Sequence, residues 1–92
     1  MAELLSIYIG LDKNIVADRM SKKEINCTVI PARGFWLGHE EDSCKVEVIS
    51  DSPIGFEAAI SALKELAKQY FENCIYITIT NLSTASLIDL QR

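Results

Sequence analysis

The sequence IGFEAAISALKELAKQYFE, residues 54–72, predicts the longest helix of this chain. Its apolar side chains recur at three- and four-residue steps, which places them on one face of an α-helix. Ser52 followed by Pro53 is a typical helix start, and Asn73 is a typical stop. The predicted buried face consists of Phe56, Ala59, Ile60, Leu63, Leu66, Ala67, Tyr70 and Phe71. A helix with one apolar face needs a sheet or a second helix to cover it.

Period-two alternation on both sides of this helix predicts the strands that it covers. Four strands are predicted over residues 4–11, 25–30, 44–50 and 74–80, and a short fifth one over 85–90. Gly10 indicates a bulge or a close backbone approach within the first of them. Pro31 removes a backbone donor after the second, so any continuation lies at a sheet edge or a bend.

The polar segment 12–24 is the least determined part of the pattern. Asn14 is a suitable cap for a short helix with a thin apolar stripe. A loop, or a short strand over residues 15–17, is the alternative.

The resulting order is strand, short segment, two strands, long helix and strand. It favours an α+β fold of the split βαβ, ferredoxin-like type, in which an antiparallel sheet of four to five strands is covered on one face. The first helix is expected to be short or absent, and residues 1–92 form a single domain. The other sheet face mixes polar and apolar groups, namely Tyr8, Asn26, Thr28, Ile30, Lys45, Glu47, Ile49, Tyr76 and Thr78. Such a face is a candidate surface for self-association into a dimer or trimer.

The amino-acid composition of the chain argues against several classes of function. The 92 residues include 13 acidic and 9 basic side chains, which give a net charge of −4 and argue against binding of a nucleic-acid polymer. No apolar run approaches the roughly 20 residues of a membrane span, and the N-terminus lacks a basic signal-peptide region. The three cysteines exclude a closed disulfide framework, which favours a cytoplasmic location.

The segment 33–43, RGFWLGHEEDS, concentrates rare residue types at the predicted tip of a hairpin. It contains the only Trp and the only His, and loop tips on rigid scaffolds often carry binding groups. An indole offers a stacking surface, a guanidinium a planar fork for phosphate or carboxylate, and an imidazole a proton switch. The candidate ligand-binding residues are Tyr8, Arg33, Phe35, Trp36, His39, Glu40, Asp42 and Ser43. Each also has a structural interpretation, and for Arg33 it is an ion pair with Glu40 or Asp42.

Metal and catalytic patterns are weak. Cys27, His39 and Cys44 are soft ligands, but a hairpin centred near residues 37–38 places Cys44 opposite Ile30 and too far from Cys27 for one zinc ion. No Ser/His/Asp spacing, nucleophile elbow, phosphate loop or HExxH motif is present. We therefore expect no cofactor, no metal and no enzymatic activity.

Short motifs add a resemblance to known families. Residues 36–43, with Trp-x-Gly followed by Glu and Asp-Ser, resemble the W-x-G-x-x-E-x-D-S stretch of the CutA divalent-ion tolerance proteins. Residues 28–35 are similar to the second strand and loop entry of the PII signalling proteins, and the layout resembles small bacterial and phage proteins with a G-x-W-x-G motif. The resemblance implies a ferredoxin-like chain that assembles as an oligomer.

The function expected on these grounds is a non-enzymatic, oligomeric binding protein for a small anionic, nucleotide-like ligand. Trp36 would stack on the ligand and Arg33 would pair with its charge. If the chain is of phage origin, it would sequester a host signalling nucleotide. The alternatives are a protein–protein module that blocks a host factor, a CutA-like metal-binding protein, and a small hydrolase that uses His39 and Glu40.

Overall fold

The structure, a computed structural model, describes residues 2–72 and 74–83 of the chain. In chain order the elements are β1 (Glu3–Ile9), α1 (Lys13–Lys22), β2 (Thr28–Trp36), β3 (His39–Ser50), α2 (Pro53–Gln69) and β4 (Tyr76–Asn81). The four strands form one antiparallel sheet in the order β2-β3-β1-β4. This is the ferredoxin-like arrangement, and the fold predicted from the sequence is confirmed. The fifth strand predicted over 85–90 and the stop at Asn73 lie outside the described residues.

The core lies between the two helices and one face of the sheet. Alternate residues of β1 and β3 point to the helices, because successive side chains of a strand alternate between its faces. The buried apolar side chains are Leu5, Ile7, Ile9, Leu11, Val16, Met20, Cys44, Val46, Val48, Phe56, Ala59, Ala62, Leu63, Leu66 and Ala67. Most of the predicted helix face is therefore in the core, with Ile60 packed at its margin.

The end of α2 differs from the prediction. The helix ends at Gln69, and Tyr70 and Phe71 are exposed. Phe71 has a positive φ of 59°, while the Glu72 N–H donates to the Ala67 carbonyl and the Phe71 N–H to the Lys68 carbonyl. This is a Schellman motif, which glycine usually closes. The helical spacing of apolar residues continues through residues 70 and 71, so the pattern did not indicate that the helix ends at Gln69.

The segment 12–24 contains a true helix, so the alternatives of a loop or a strand are wrong. Asp12 caps α1 by accepting a hydrogen bond of 2.8 Å from the Asn14 N–H, which corrects the prediction that Asn14 is the cap. Val16 and Met20 are the two side chains of α1 that are buried. Asp is as good a cap as Asn. Val16 and Met20 are four residues apart and therefore share one face of the helix.

Strands β2 and β3 form a long hairpin, which corrects the prediction of a loop over residues 33–43. The ladder is continuous from Thr28↔Glu47 to Trp36↔His39, and only Leu37 and Gly38 form the turn. Both turn residues have positive φ, as a two-residue turn of the type I′ class requires. β2 is an edge strand, so Pro31 continues it without breaking a central ladder, as expected.

Candidate functional site

The two faces of the sheet differ in whether helices pack against them. Helices α1 and α2 pack on one face, and the described part of the chain places no element on the other, which we call the open face. By strand register it includes Tyr8, Thr28, Ile30, Lys45, Glu47, Ile49, Tyr76 and Thr78, as the alternation predicted. Asn26 precedes β2 and is not part of a strand.

A cleft of about 490 Å³ lies at one end of the open face, and we call it the aromatic cavity. It is larger than two other clefts of about 310 and 320 Å³, and its size suits a small molecule. The residues that line it are Tyr8, Ile9, Gly10, Gly34, Phe35, Trp36, Glu41, Ser43, Glu72, Cys74 and Tyr76. All four strands and the segment after α2 contribute, so only the folded chain assembles this surface.

Gly10 allows two carboxylates to converge on the cavity. A Cβ at this position would stand 2.9 Å from Oε1 of Glu41 and 3.2 Å from Oε1 of Glu72. The first distance is shorter than a side-chain carbon tolerates, so a larger residue would displace Glu41. The sequence predicted a bulge or a close backbone approach within the strand; Gly10 instead follows β1, and the groups close to it are the two acid side chains.

Ser43 fixes the wall between β3 and the end of β1. Its hydroxyl donates a hydrogen bond of 2.9 Å to the carbonyl of Ile9, beyond the last ladder pair of these strands. This bond holds β3 close to the chain just before Gly10. It therefore helps to place Glu41, two residues earlier on the same face of β3, beside the glycine.

The charge of Glu41 affects the ionisation of Glu72. Burial and the negative charge of Glu41 both raise the pKa of the Glu72 carboxyl above its ordinary value, with burial the larger cause. Glu41 belongs to β3, whereas Glu72 follows the end of α2. Residues distant in the chain thus bring like charge together at the rim of an aromatic surface, an arrangement that costs folding energy.

The structure divides the eight candidate residues into two groups. Tyr8, Phe35, Trp36 and Ser43 line the aromatic cavity, whereas Arg33, His39, Glu40 and Asp42 do not. Arg33 and Trp36 are three residues apart in β2 and therefore point to opposite faces of the sheet. Arg33 instead pairs with Glu40 at 3.0 Å, one of the structural ion pairs considered from the sequence.

Sequence reasoning missed much of the cavity. It placed Tyr76 on the open face and included Glu41 only as part of the segment 33–43, not as a candidate residue. Glu72 and Cys74 were interpreted as the ends of a helix and a strand. Gly10 was the one available signal, since a glycine that interrupts an alternating strand indicates that another group approaches the backbone there.

The soft side chains considered as metal ligands, Cys27, His39 and Cys44, form no metal-binding cluster among the described residues. Among residues 2–72 and 74–83 there is no cluster of three or more His, Cys, Asp or Glu side chains suited to a metal ion. Cys44 pairs with Pro31, one residue from the predicted Ile30, and is fully buried. Burial, with a smaller effect of Asp12, raises the pKa of the Cys44 thiol to about 11, so it stays protonated and is a poor ligand at neutral pH.

Comparisons with known proteins give the fold but no family. No protein-family model matches the chain, and no curated protein matches it significantly. It is similar to the structure of a DUF3240 family protein from Shewanella baltica OS155, with a TM-score of 0.64 and 17% identity over 96% of this chain and 97% of the other.

Two further structures share the fold. One is a PII-like signalling protein from Thermus thermophilus, with a TM-score of 0.50 and 21% identity over 88% of this chain and 85% of the other. The second is a phage SAM lyase in its apo state, with a TM-score of 0.53 and 21% identity over 85% and 78% of the two chains. At the level of fold, the expected likeness to PII-like proteins is confirmed. No helix in the described part of the chain is long and apolar enough to cross a membrane.

Proposed function

We propose that this chain is a non-enzymatic binding protein that holds a nucleotide-like molecule by its aromatic ring in the aromatic cavity. One observation carries the proposal: Tyr8, Trp36 and Tyr76 come from three different strands and line the same cleft. Aromatic side chains on a rigid sheet provide stacking surfaces for planar rings, and each stacked base contributes about 1–3 kcal/mol. The exposure of the Trp36 side chain, 69%, leaves the indole available to a ligand.

The neighbours in fold support this class of ligand. One is described as a SAM lyase, so a protein of this fold can act on an adenosyl compound, and another is described as a signalling protein. The chemistry expected of a hydrolase is not assembled. His39 and Glu40 are adjacent in β3 and point to opposite faces, and Glu40 pairs with Arg33. Binding without turnover is therefore the function that we propose.

Trp36 also provides the test, because it is the only tryptophan of the chain. Titration with adenosine, guanosine, cytidine and uridine should change the indole fluorescence in a saturable way for at least one base. Trp36→Ala should weaken binding of that nucleoside at least tenfold by calorimetry. Ile54→Ala is the control, since it removes an exposed apolar side chain of α2 that lies outside both the cavity and the open face.

The outcomes separate the alternatives. Unchanged thermal stability in Trp36→Ala, together with lost binding, supports a ligand site. Equal loss of stability and binding would make the indole a structural group, and saturable binding of none of the nucleosides would contradict the proposal. Expression of the chain in cells should also lower the free concentration of its ligand if its role, in a phage or elsewhere, is sequestration.

We also propose that the chain self-associates through the open face. Ile30, Ile49 and Tyr76 are large apolar side chains that remain exposed on this face. Native mass spectrometry should show a dimer or trimer and any ligand that copurifies. A monomer at micromolar concentration would contradict this part of the proposal.

A second candidate is a protein-binding module. Its support is the tip of the β2–β3 hairpin, where three consecutive apolar side chains, Phe35, Trp36 and Leu37, are all largely exposed. A pull-down that captures one protein at fixed stoichiometry, and that fails with a Leu37→Ser variant which still binds nucleoside, would favour this function. Leu37 does not line the aromatic cavity, so the variant separates the two.

A further inference from the structure

We infer that the aromatic cavity selects organic cations, that is, planar ligands whose ring or adjacent group carries a positive charge. This inference rests on the proposed function and deepens it by naming the charge of the ligand. It differs from the anionic ligand expected from the sequence, which required Arg33 and Trp36 to share one site.

The charge of the cavity lining is the first argument. Two of the lining residues, Glu41 and Glu72, are acidic, and none of the eleven lining residues is Lys, Arg or His. Arg33, the cation assigned to the ligand from the sequence, lies on the other face of β2 and is paired with Glu40. An anion placed in the cleft would meet two carboxylates without a compensating charge, whereas a cation would be attracted by both.

The aromatic walls are the second and independent argument. The faces of Trp and Tyr rings carry negative potential and therefore attract cations. A ligand whose ring is neutral or anionic does not gain this attraction. Tyr8 already shows this behaviour, since the Lys45 ammonium lies 5.7 Å from the centre of its ring. Trp36 and Tyr76 have no such partner among the described residues and are open to a ligand.

Lys45 does not neutralise the acids of the cavity. Its ammonium is 3.2 Å from a carboxylate oxygen of Glu47, and it is not among the lining residues. The hydrogen bond to Glu47 raises the pKa of Lys45, with a smaller contribution from Tyr8, so it stays charged and engaged with Glu47. Within the described residues, no ion pair involves Glu41 or Glu72.

The raised pKa of Glu72 is consistent with this inference. Burial and the charge of Glu41 raise the pKa of the Glu72 carboxyl, so its ionisation is less favourable in the free protein than in an isolated glutamate. A cation bound between the two carboxylates would relieve the repulsion between them. The repulsion in the free protein therefore favours binding of a cation. The net charge of −4 adds a long-range field that attracts cations to the protein.

The experiment uses three probes that share one ring and differ in charge. They are 1-methyladenosine, whose ring is positively charged at pH 7, neutral adenosine, and anionic adenosine 5′-monophosphate. Calorimetric titration of the full chain should give roughly tenfold tighter binding of 1-methyladenosine than of adenosine, and weaker binding of the monophosphate. Raising the salt concentration should reduce the preference without abolishing the binding of adenosine.

Substitution of the two acids tests whether they cause the preference for a positively charged ring. The double variant Glu41→Gln/Glu72→Gln should remove the roughly tenfold advantage of 1-methyladenosine over adenosine, measured as the ratio of the two affinities in the same variant. Glu57→Gln is the control, because it removes one acid from an exposed position of α2 outside the cavity. Circular dichroism and thermal unfolding of each variant verify that it is folded.

Each outcome is decisive. Equal affinity for 1-methyladenosine and adenosine, with both lost in Trp36→Ala, would overturn the charge selection and leave the proposed function intact. Tighter binding of the monophosphate would overturn the inference in favour of the anionic ligand. Binding of none of the three probes would count against the charge selection and against adenine-type ligands. A preference that survives the double glutamine variant would show that the acids are not its source.

Discussion

The two faces of the sheet use the same strands for opposite purposes. In β1, Leu5, Ile7 and Ile9 are at most 1% exposed and pack beneath the helices, whereas Tyr8, between Ile7 and Ile9, is 42% exposed. In β3, Val46 is fully buried, and Ile49 is 62% exposed. The difference teaches that hydrophobicity alone does not locate the core of this chain, because large apolar residues occupy both faces and only one face has a cover.

The two faces also differ in the unfavourable interactions that they contain. Among the described residues, the helix-covered side has no buried side-chain polar atom without a hydrogen-bond partner. The cavity end of the open face has a pair of carboxylates that repel each other, and just before Glu72 stands Phe71 in the left-handed region. Locally unfavourable features of this kind tend to collect at functional sites. The following predictions test this contrast.

The largest effect is expected from shortening matched isoleucines on the two faces. Ile7→Ala should destabilise the fold by about 2–4 kcal/mol, since it leaves a cavity in the core. Ile49→Ala should cost less than about 1 kcal/mol in the monomer, because its side chain is exposed. Urea unfolding with an unchanged m-value is the measurement. A large and concentration-dependent cost for Ile49→Ala would instead reveal that the open face is covered by another copy.

A smaller effect of opposite sign is expected at the end of α2. Phe71→Gly should stabilise the chain by about 1 kcal/mol, because Phe71 has a φ of 59° and its side chain is 92% exposed. Phe71→Ala is the control, since it removes the ring without relieving the backbone. Thermal unfolding measures both variants, and a loss of stability in Phe71→Gly would indicate that the ring is in contact with a partner.

Glu72→Gln should stabilise the chain slightly, and only at neutral pH. The folded-state pKa of Glu72 lies above its ordinary value of 4.5, so the fold favours the protonated carboxyl. The stabilising preference is complete below the unfolded-state pKa and is lost as pH rises through the folded-state pKa. The gain from Gln should thus be about 0.5 kcal/mol at pH 7 and vanish near pH 3. Unfolding is measured at both pH values, with Glu57→Gln as the control. A gain in stability that does not depend on pH would contradict this prediction.

The smallest effect is expected from Arg33→Ala. The ion pair of Arg33 with Glu40 is exposed, so the free energy of unfolding should change by less than about 0.5 kcal/mol. Nucleoside affinity should change by less than about twofold, in contrast to Trp36→Ala, because the guanidinium is on the opposite face. A loss of binding equal to that in Trp36→Ala would place Arg33 in the ligand site and restore the anionic interpretation.

The comparison of sequence and structure is instructive at the hairpin. The turn at Leu37–Gly38 and the edge position of Pro31 followed from the sequence, because local backbone preferences specify them. The ladder through residues 33–43 did not, since Gly, His and three acids have low strand propensity. Pairing between β2 and β3 overrides that propensity once both strands are held by the sheet.

The amino-acid sequence by itself determined the order of the four strands and the long helix, and the buried face of β1, β3 and most of α2. Those features depend on periodicity within a few neighbouring residues, and side chains that alternate or recur every three to four positions can be read directly. Only the tertiary structure decided that Glu41, Glu72, Trp36 and Tyr76 share one cavity and that Arg33 does not. That grouping depends on strand register and on a close approach at Gly10, which are set by contacts between residues far apart in the chain.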